Sequence, residues 1–302
     1  MMRTASSSAC TGGFSGSRDR VPAVREAATL PIFRRPMAPA PTSMTYEFFA
    51  RTDQGRVRPN NEDAVAIDHG TQIAILADGM GGYNAGEVAS AMATDFIRTE
   101  MVCWLTQAGA SPPSSEVRQV LECCVERANH AIWDASRATP RYAGMGTTLV
   151  VAVFHGNRLT LGHIGDSRCY RLRAGALQQI TRDHSWIQEQ IDAGLLTPRQ
   201  ATFSTQRNLV TRALGVGPSA MMEVNEFQVA PDDLFLLCTD GLTDMVPDAD
   251  LAHMLRAPLA LEEKTARLID SANAHGGRDN VSVLLVQAGK RQGLHNHAPH
   301  PE

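Results

Sequence analysis

Three short apolar runs in this sequence close on an aspartate, and a fourth opens directly behind one. Ile73-Ala-Ile-Leu-Ala77 leads into Asp78-Gly79-Met80-Gly81-Gly82, and Leu159-Thr-Leu-Gly-His-Ile164 leads into Gly165-Asp166. Leu234-Phe-Leu-Leu-Cys238 leads into Thr239-Asp240-Gly241, while Asp279-Asn280 precedes Val281-Ser-Val-Leu-Leu-Val286. Runs of this length and β-prone composition read as buried strands. A desolvated carboxylate at the end of a buried strand needs a cation or donors to offset the water it loses. Taken singly, each reads best as a turn, because Asp-Gly is the commonest short hairpin signal. Taken together they do not, since Asp166 and Asp279 lack the following glycine. If the strands are sheet neighbours, the four carboxylates converge at one end of a β-sandwich. There they would raise each other's pKa unless cations sat among them, so a metal site is expected.

The rest of the chain supplies the frame. Further strands are expected over 46–51, 64–67, 147–154, 169–172, 177–180 and 226–229, joined by turns too short for parallel crossovers, so the pairing is antiparallel. Asn84-Ala-Gly-Glu87 has the form of a helix N-cap with a reciprocal Glu, opening a helix to about Leu105. A second amphipathic helix is expected over 115–136, and two more over 248–256 and 261–274. Residues 181–217 have mixed polarity around a short helix at 186–193, and read as a helical flap inserted between strands. The fold class is therefore α+β.

Residues 1–43 are rich in Ser, Ala, Pro and Arg with no period of 2 or 3.6. They read as a disordered extension, or as a start placed ahead of Met44, with a transit peptide as the alternative. Residues 290–302 read as a disordered tail, which leaves 44–289 as one catalytic domain. A net charge of -4 and the lack of a basic stripe with interleaved aromatics give no reason to expect nucleic acid. No apolar run approaches the ~18 residues of a membrane helix. The six cysteines lack zinc-like spacing and mostly sit in apolar runs, as buried thiols of a reducing, cytoplasmic compartment do. None is followed six positions later by Arg, which removes the Cys-x5-Arg loop of thiol-based phosphatases.

Ligand chemistry narrows the metal. Carboxylates, backbone carbonyls and water, with no His or Cys at matching positions, suit Mg²⁺ or Mn²⁺ rather than zinc. This many carboxylates would serve more than one ion, and two ions roughly 3.5–4 Å apart can hold a bridging hydroxide for in-line attack on phosphorus. Asn60-Asn61-Glu62-Asp63 reads either as a plain surface loop or as the approach to a strand that sets Asp63 beside Asp78. Arg58 is the nearest cation in sequence able to hold phosphate oxygens.

Six motifs now stand in order: Arg58-Pro-Asn-Asn-Glu-Asp63, Asp78-Gly-Met-Gly-Gly82, Gly144-Met-Gly-Thr-Thr148, Gly165-Asp-Ser-Arg168, Thr239-Asp-Gly-Leu242 and Arg278-Asp-Asn280. Through them the chain, from about Thr45 to Ala288, resembles the metal-dependent protein phosphatase family of type 2C in its bacterial form. The resemblance implies a four-layer α-β-β-α sandwich of two antiparallel sheets flanked by helices, with metals in a cleft at one end. It implies that Asp78 bridges two core Mn²⁺ or Mg²⁺ ions, that the Gly79 carbonyl binds one, and that Asp240 and Asp279 complete the set. Glu62 and Asp63 would contribute mainly through metal-bound water, and Asp166 with Asp240 would match a third ion. Arg58 would hold the substrate phosphate. The implied reaction is direct hydrolysis of phosphoserine and phosphothreonine in proteins by a metal-bridging water, without a phosphoenzyme. A cognate Ser/Thr kinase and its targets are the implied partners of a cytoplasmic monomer.

Two departures from the family pattern stand out. Met80 occupies the position where eukaryotic members carry a His proposed to protonate the leaving alkoxide. The flap reads Ser204-Thr-Gln-Arg-Asn208 where bacterial members usually carry His-Pro shortly before Arg-Asn. Two other readings remain: a metal-dependent hydrolase of small phosphate esters, and a non-catalytic relative that binds phosphoproteins. Loss of a metal carboxylate would mark the second, and none is lost.

Overall fold

A computed structural model describes residues 44–81, 85–109, 111–201, 204 and 209–290. Residues 1–43, the tail after Lys290, the expected cap residue Asn84 and the flap residues Thr205–Asn208 lie outside the described residues. The chain runs through strands β1 (Met44–Asp53), β2 (Asp63–Asp68) and β3 (Ile73–Met80), then helices α1 (Ala85–Ala108) and α2 (Ser114–Ala138). Strands β4 (Gly146–Thr147), β5 (Leu149–His155), β6 (Arg158–Ile164), β7 (Arg168–Arg173) and β8 (Ala176–Gln179) follow. After α3 (Trp186–Asp192) and α4 (Pro198–Ala201) come β9 (Glu223–Gln228), β10 (Leu234–Cys238), α5 (Asp240–Thr243), α6 (Asp248–Arg256), α7 (Leu261–Ala274) and β11 (Val281–Lys290).

Two antiparallel sheets result, ordered β1-β11-β10-β7-β8 and β2-β3-β5-β6-β9, with β4 paired to β3. The near-continuous apolar runs are explained by burial of both faces. On β3, Ile73, Ile75 and Ala77 pack with Ala89, Ala93 and Ile97 of α1 and with Leu121 and Val125 of α2. Ala74 and Leu76 point the other way, into a core between the sheets with Val150, Phe154, Phe235, Leu284 and Val286. The first sheet's outer face packs Leu236, Val283 and Leu285 against Leu251 of α6 and Leu268 and Ile269 of α7. The four layers are thus helices, sheet, sheet, helices. Each fully buried Ile, Leu or Phe is worth roughly 1.5–3 kcal/mol of transfer free energy, so these three clusters are where the frame gets its rigidity.

The structure adds to or amends the sequence pattern in five places. The expected strand over 147–154 is two pieces, because Thr148 leaves the ladder: Thr147 bridges to Leu214 while Leu149 onward pairs with β6. The short helix α4 was not expected, and β11 is longer than the apolar run 281–286 because it pairs with all of β1. The strand carrying Asp78 and the strand leading into Asp166 are not neighbours, since β5 lies between β3 and β6. Among the described cysteines, Cys124, Cys169 and Cys238 are buried, but Cys103 and Cys123 are exposed on α1 and α2.

Candidate metal centre

At one end of the sandwich, both sheets contribute to a cleft of about 280 Å³. Every residue expected at the site lines it except Asp63, with Arg58, Glu62, Asp78, Gly79, Asp166, Asp240 and Asp279 around the wall. Asp63 is directly opposite Asp78 in the β2–β3 ladder, so the second of the two readings of Asn60–Asp63 holds. The Asp78-Gly79 pair is no hairpin. Strand β3 runs through it, pairing Gly79 with Thr147 and Met80 with Gly146 of β4.

Local hydrogen bonds fix the backbone of Asp78. The Asp78 N–H donates to Thr148 Oγ1 at 3.0 Å, and the Asp78 carbonyl accepts from the Thr148 N–H at 2.9 Å and from Thr147 Oγ1 at 2.8 Å. Thr148 Oγ1 also shares a 2.7 Å hydrogen bond with Ser167 Oγ, tying the Asp78 strand to the Asp166 loop. This is the physical content of the Gly144–Thr148 motif: its two threonines hold the backbone of the central aspartate. Close backbone approach explains Gly86 at the start of α1. A Cβ there would fall 2.6 Å from Glu62 Oε2 and 2.7 Å from the Gly79 carbonyl carbon.

Crowding sets the electrostatics. Asp63 Oδ2 accepts from Ser282 Oγ at 2.7 Å and from Thr239 Oγ1 at 3.0 Å, but its buried Oδ1 faces no donor. Burial, opposed by those hydroxyls and reinforced by the charge of Asp279, pushes the Asp63 carboxyl up to about 7. Burial and then the charges of Asp63, Asp240, Asp166 and Asp279 drive Asp78 well above the ordinary carboxylate range. Asp240 is raised likewise by burial and by Asp166 and Asp244. Asp166 rises to about 6 through burial and the charge of Asp183. Opposing cations are Arg168, whose charge acts on Asp166, and Arg58, whose Nη2 donates to Asp279 Oδ2 at 2.6 Å, a bond that raises the guanidinium's own pKa.

Sequence reasoning missed several contributors. Asp244 adds negative charge one helical turn beyond Asp240, a spacing visible in Asp240-Gly-Leu-Thr-Asp244. Thr239 and Ser282 converge on Asp63 only through the β10–β11 pairing, and no local signal marks them.

A second cluster lies outside the cleft. His163, His184 and Glu223 each bring a ligand atom within 4.8 Å of the others, the only such trio of His, Cys, Asp and Glu among the described residues. Two features argue against an ion there. The two rings are stacked, 10° from parallel with centroids 4.8 Å apart, whereas a metal must lie near the plane of each imidazole it binds. His184 Nδ1 accepts the Gly165 N–H at 3.2 Å, which leaves the proton on Nε2, the nitrogen nearest Glu223. His184 instead ties its segment to the Asp166 loop, with its N–H also donating to the Gly165 carbonyl at 2.8 Å. The cleft carboxylates form no such tight trio, and are spread around its wall.

A two-sheet sandwich with an acid-lined cleft at one end defines the class. The sequence profile of the family described as protein phosphatase 2C matches residues 55–283, and the chain belongs to that family. It is 39% identical over 247 residues to the serine/threonine protein phosphatase PstP of Mycobacterium tuberculosis, covering 82% of this chain and 46% of PstP. The chain therefore spans about half the length of that relative. It is 38% identical over 242 residues to the serine/threonine phosphatase stp of Listeria monocytogenes, covering 78% of this chain and 94% of stp. The crystal structure of the PstP catalytic domain in complex with two manganese ions superposes with a TM-score of 0.71 at 37% identity, covering 82% of this chain and all of that one.

Proposed function

We propose that the chain is a metal-dependent protein serine/threonine phosphatase, with residues 44–289 as its catalytic domain. The observation that carries the proposal is the uncompensated acid at and behind the cleft wall: Asp63 Oδ1 is buried without a donor, and Asp78 and Asp240 are each driven up by burial and by the charges of the carboxylates around them. Oxygen-only donors of this kind fit Mn²⁺ or Mg²⁺, and the cleft's volume and spread of carboxylates favour two core ions with a third near Asp166. Asp78, Asp240, Asp279, Asp166 and the Gly79 carbonyl would hold them, with Glu62 and Asp63 acting through water. When bound, the ions supply a water acidic enough to attack phosphorus and charge to offset that on the phosphoryl oxygens.

The chain's own residues divide the remaining work. Arg58 would release part of its bond to Asp279 and hold the phosphate, a task suited to a half-exposed planar fork. Thr147 and Thr148 keep Asp78 from recoiling as charge builds beside it. Val210 walls the cleft on the flap side, where phosphoprotein substrates would lie. The buried free thiols Cys124, Cys169 and Cys238 favour a cytoplasmic setting. None of the helices in the described residues is long and apolar enough to cross a membrane.

The purified chain, given Mn²⁺ or Mg²⁺, is expected to release phosphate from phosphothreonine peptides and from an autophosphorylated Ser/Thr kinase, and to stop in excess chelator. Release that continues without metal would overturn the mechanism. Faster turnover of a free phosphate ester than of any phosphopeptide would move the substrate class to small molecules.

A further inference from the structure

The loop between β1 and β2 carries Arg58 and Glu62 but has no ladder of its own. It is held by hydrogen bonds from other elements, with Gly277, Gly79 and Ser90 each contributing one at Arg56 or Glu62, and one buried amide from the far end of the chain contributing three. Asn280 is 6% exposed. Its Nδ2 donates to the Gln54 carbonyl at 2.9 Å and to the Asn60 carbonyl at 2.8 Å, and its Oδ1 accepts the Glu62 N–H at 2.8 Å. All three bonds land on the one loop, on both sides of Arg58. Gln54 then reaches inward itself: its Nε2 donates to the Arg58 carbonyl at 2.7 Å.

We propose that Asn280 and Gln54 are positioning residues that hold the Arg58 backbone in place for phosphate capture. The inference rests on Arg58 being the phosphate clamp. Only a primary amide offers two N–H donors and a carbonyl acceptor in one short plane; Asp would lose both donors and set a carboxylate against two carbonyls, and Ser could satisfy one. The neighbouring residue carries the complementary duty, since Asp279 faces the cleft and bonds Arg58 directly. Residues 279 and 280 therefore fix Arg58 twice, at its guanidinium and through its loop. A clamp whose backbone is already in place loses less freedom when it grips, and that gain appears as tighter phosphate binding.

Inorganic phosphate, as a competitive inhibitor at saturating Mn²⁺, reads this binding. Gln54 is exposed, so Gln54→Ala keeps the fold while removing one bond to the loop. It is expected to weaken phosphate inhibition by roughly threefold to tenfold, as for one hydrogen bond. Asn280→Ala and Asn280→Asp are expected to weaken it more. In an Arg58→Ala background, Gln54→Ala is expected to add nothing, which general loosening of the fold would not produce. If Arg58→Ala weakens phosphate inhibition while Gln54→Ala leaves it unchanged, or if the Gln54 effect persists in full without Arg58, this inference falls and the clamp stands. If Arg58→Ala has no effect on phosphate inhibition, the clamp falls and takes the inference with it.

Discussion

Replacing Asp63 by Asn tests the electrostatic account of the cleft without relying on turnover. Asp63 faces Asp78 across the β2–β3 pair, and its carboxyl is pushed from the ordinary 3.8 to about 7 by burial and by the charge of Asp279. The folded chain then holds this proton more tightly than the unfolded chain. Stability from this group is full below about pH 4 and is lost as pH rises through about 7. At 1.36 kcal/mol for each tenfold change in the proton equilibrium, forcing the carboxylate to ionise at pH 8 costs up to about 4 kcal/mol. Asn has the same shape, its carbonyl accepts from Thr239 and Ser282 as the carboxylate does, and its amide offers a donor towards Asp78. We expect Asp63→Asn to raise the melting temperature of chelator-treated protein at pH 8 by roughly 5–10 °C. At pH 5, where Asp63 already holds its proton, the gain is expected to be small. Mn²⁺ is expected to reverse the ranking, stabilising the parent protein strongly and the variant far less. Thermal denaturation of both proteins at the two pH values, with and without Mn²⁺, measures all of this. A variant less stable than the parent at pH 8 without metal, or equally stabilised at both pH values, would refute the reasoning.

Asp240→Asn is expected to lower phosphatase activity by at least about a hundredfold and to reduce the number of Mn²⁺ ions bound in calorimetric titration. Gly86→Ala places a Cβ 2.7 Å from backbone at Gly79 and 2.6 Å from Glu62 Oε2, so urea denaturation is expected to show a loss of about 1–3 kcal/mol, with weaker Mn²⁺ binding alongside. Away from the cleft, Arg173 grips Asp233 through Nε and Nη2 at 2.7 and 2.6 Å, and the Asp233 side chain is 1% exposed. Arg173→Ala strands that carboxylate with only the Ala230 N–H and is expected to cost about 2–3 kcal/mol in urea, less than a fully buried pair because Arg173 itself is partly in water. The double variant with Asp233→Ala is expected to recover part of that loss.

Most of the layer plan was legible because period and length agreed with burial. Helices α6 and α7 and strand β10 fall where periodicity puts them, since each buries one clear stripe or a whole short run. The aspartates were legible for the opposite reason, as charges placed where strand composition forbids them. What stayed hidden depends on contacts distant in sequence. Nothing near Thr148 says that it must leave the ladder; it does so because its hydroxyl is claimed by the Asp78 N–H and by Ser167. Asn280 stands in the Arg278-Asp-Asn280 motif with no role of its own, and only the fold brings its amide onto a loop more than two hundred residues earlier. The convergence of Asp78 and Asp166 does not need adjacent strands, because β5 pairs with both β3 and β6 and still leaves the two aspartates at the same end, an order that a run of apolar residues does not encode.

The strand order makes the site and the fold depend on one another. Asp63 and Asp78 lie on strands of one sheet, Asp240 and Asp279 lie just outside the ends of strands of the other, and Asp166 sits in the loop that passes from β6 of the first to β7 of the second. The cleft therefore exists only while the sheets are packed through Phe154, Phe235 and their neighbours, whose rings meet edge to face at 5.3 Å. Without cations the carboxylates push the two sheets apart at that end, and the inter-sheet core holds them together. Ions that bind the folded cleft and not the unfolded chain would turn the same carboxylates from a load on the core into a brace. A cavity made in that core, as by Phe235→Ala, should thus weaken Mn²⁺ binding although it removes no ligand. The same truncation in the core under α6 and α7, which touches one sheet only, should cost stability and leave Mn²⁺ affinity largely intact. Calorimetric titration of folded Phe235→Ala and Leu268→Ala proteins separates these outcomes, and equal losses of affinity in both would show that the sheets do not act as the two jaws of the site.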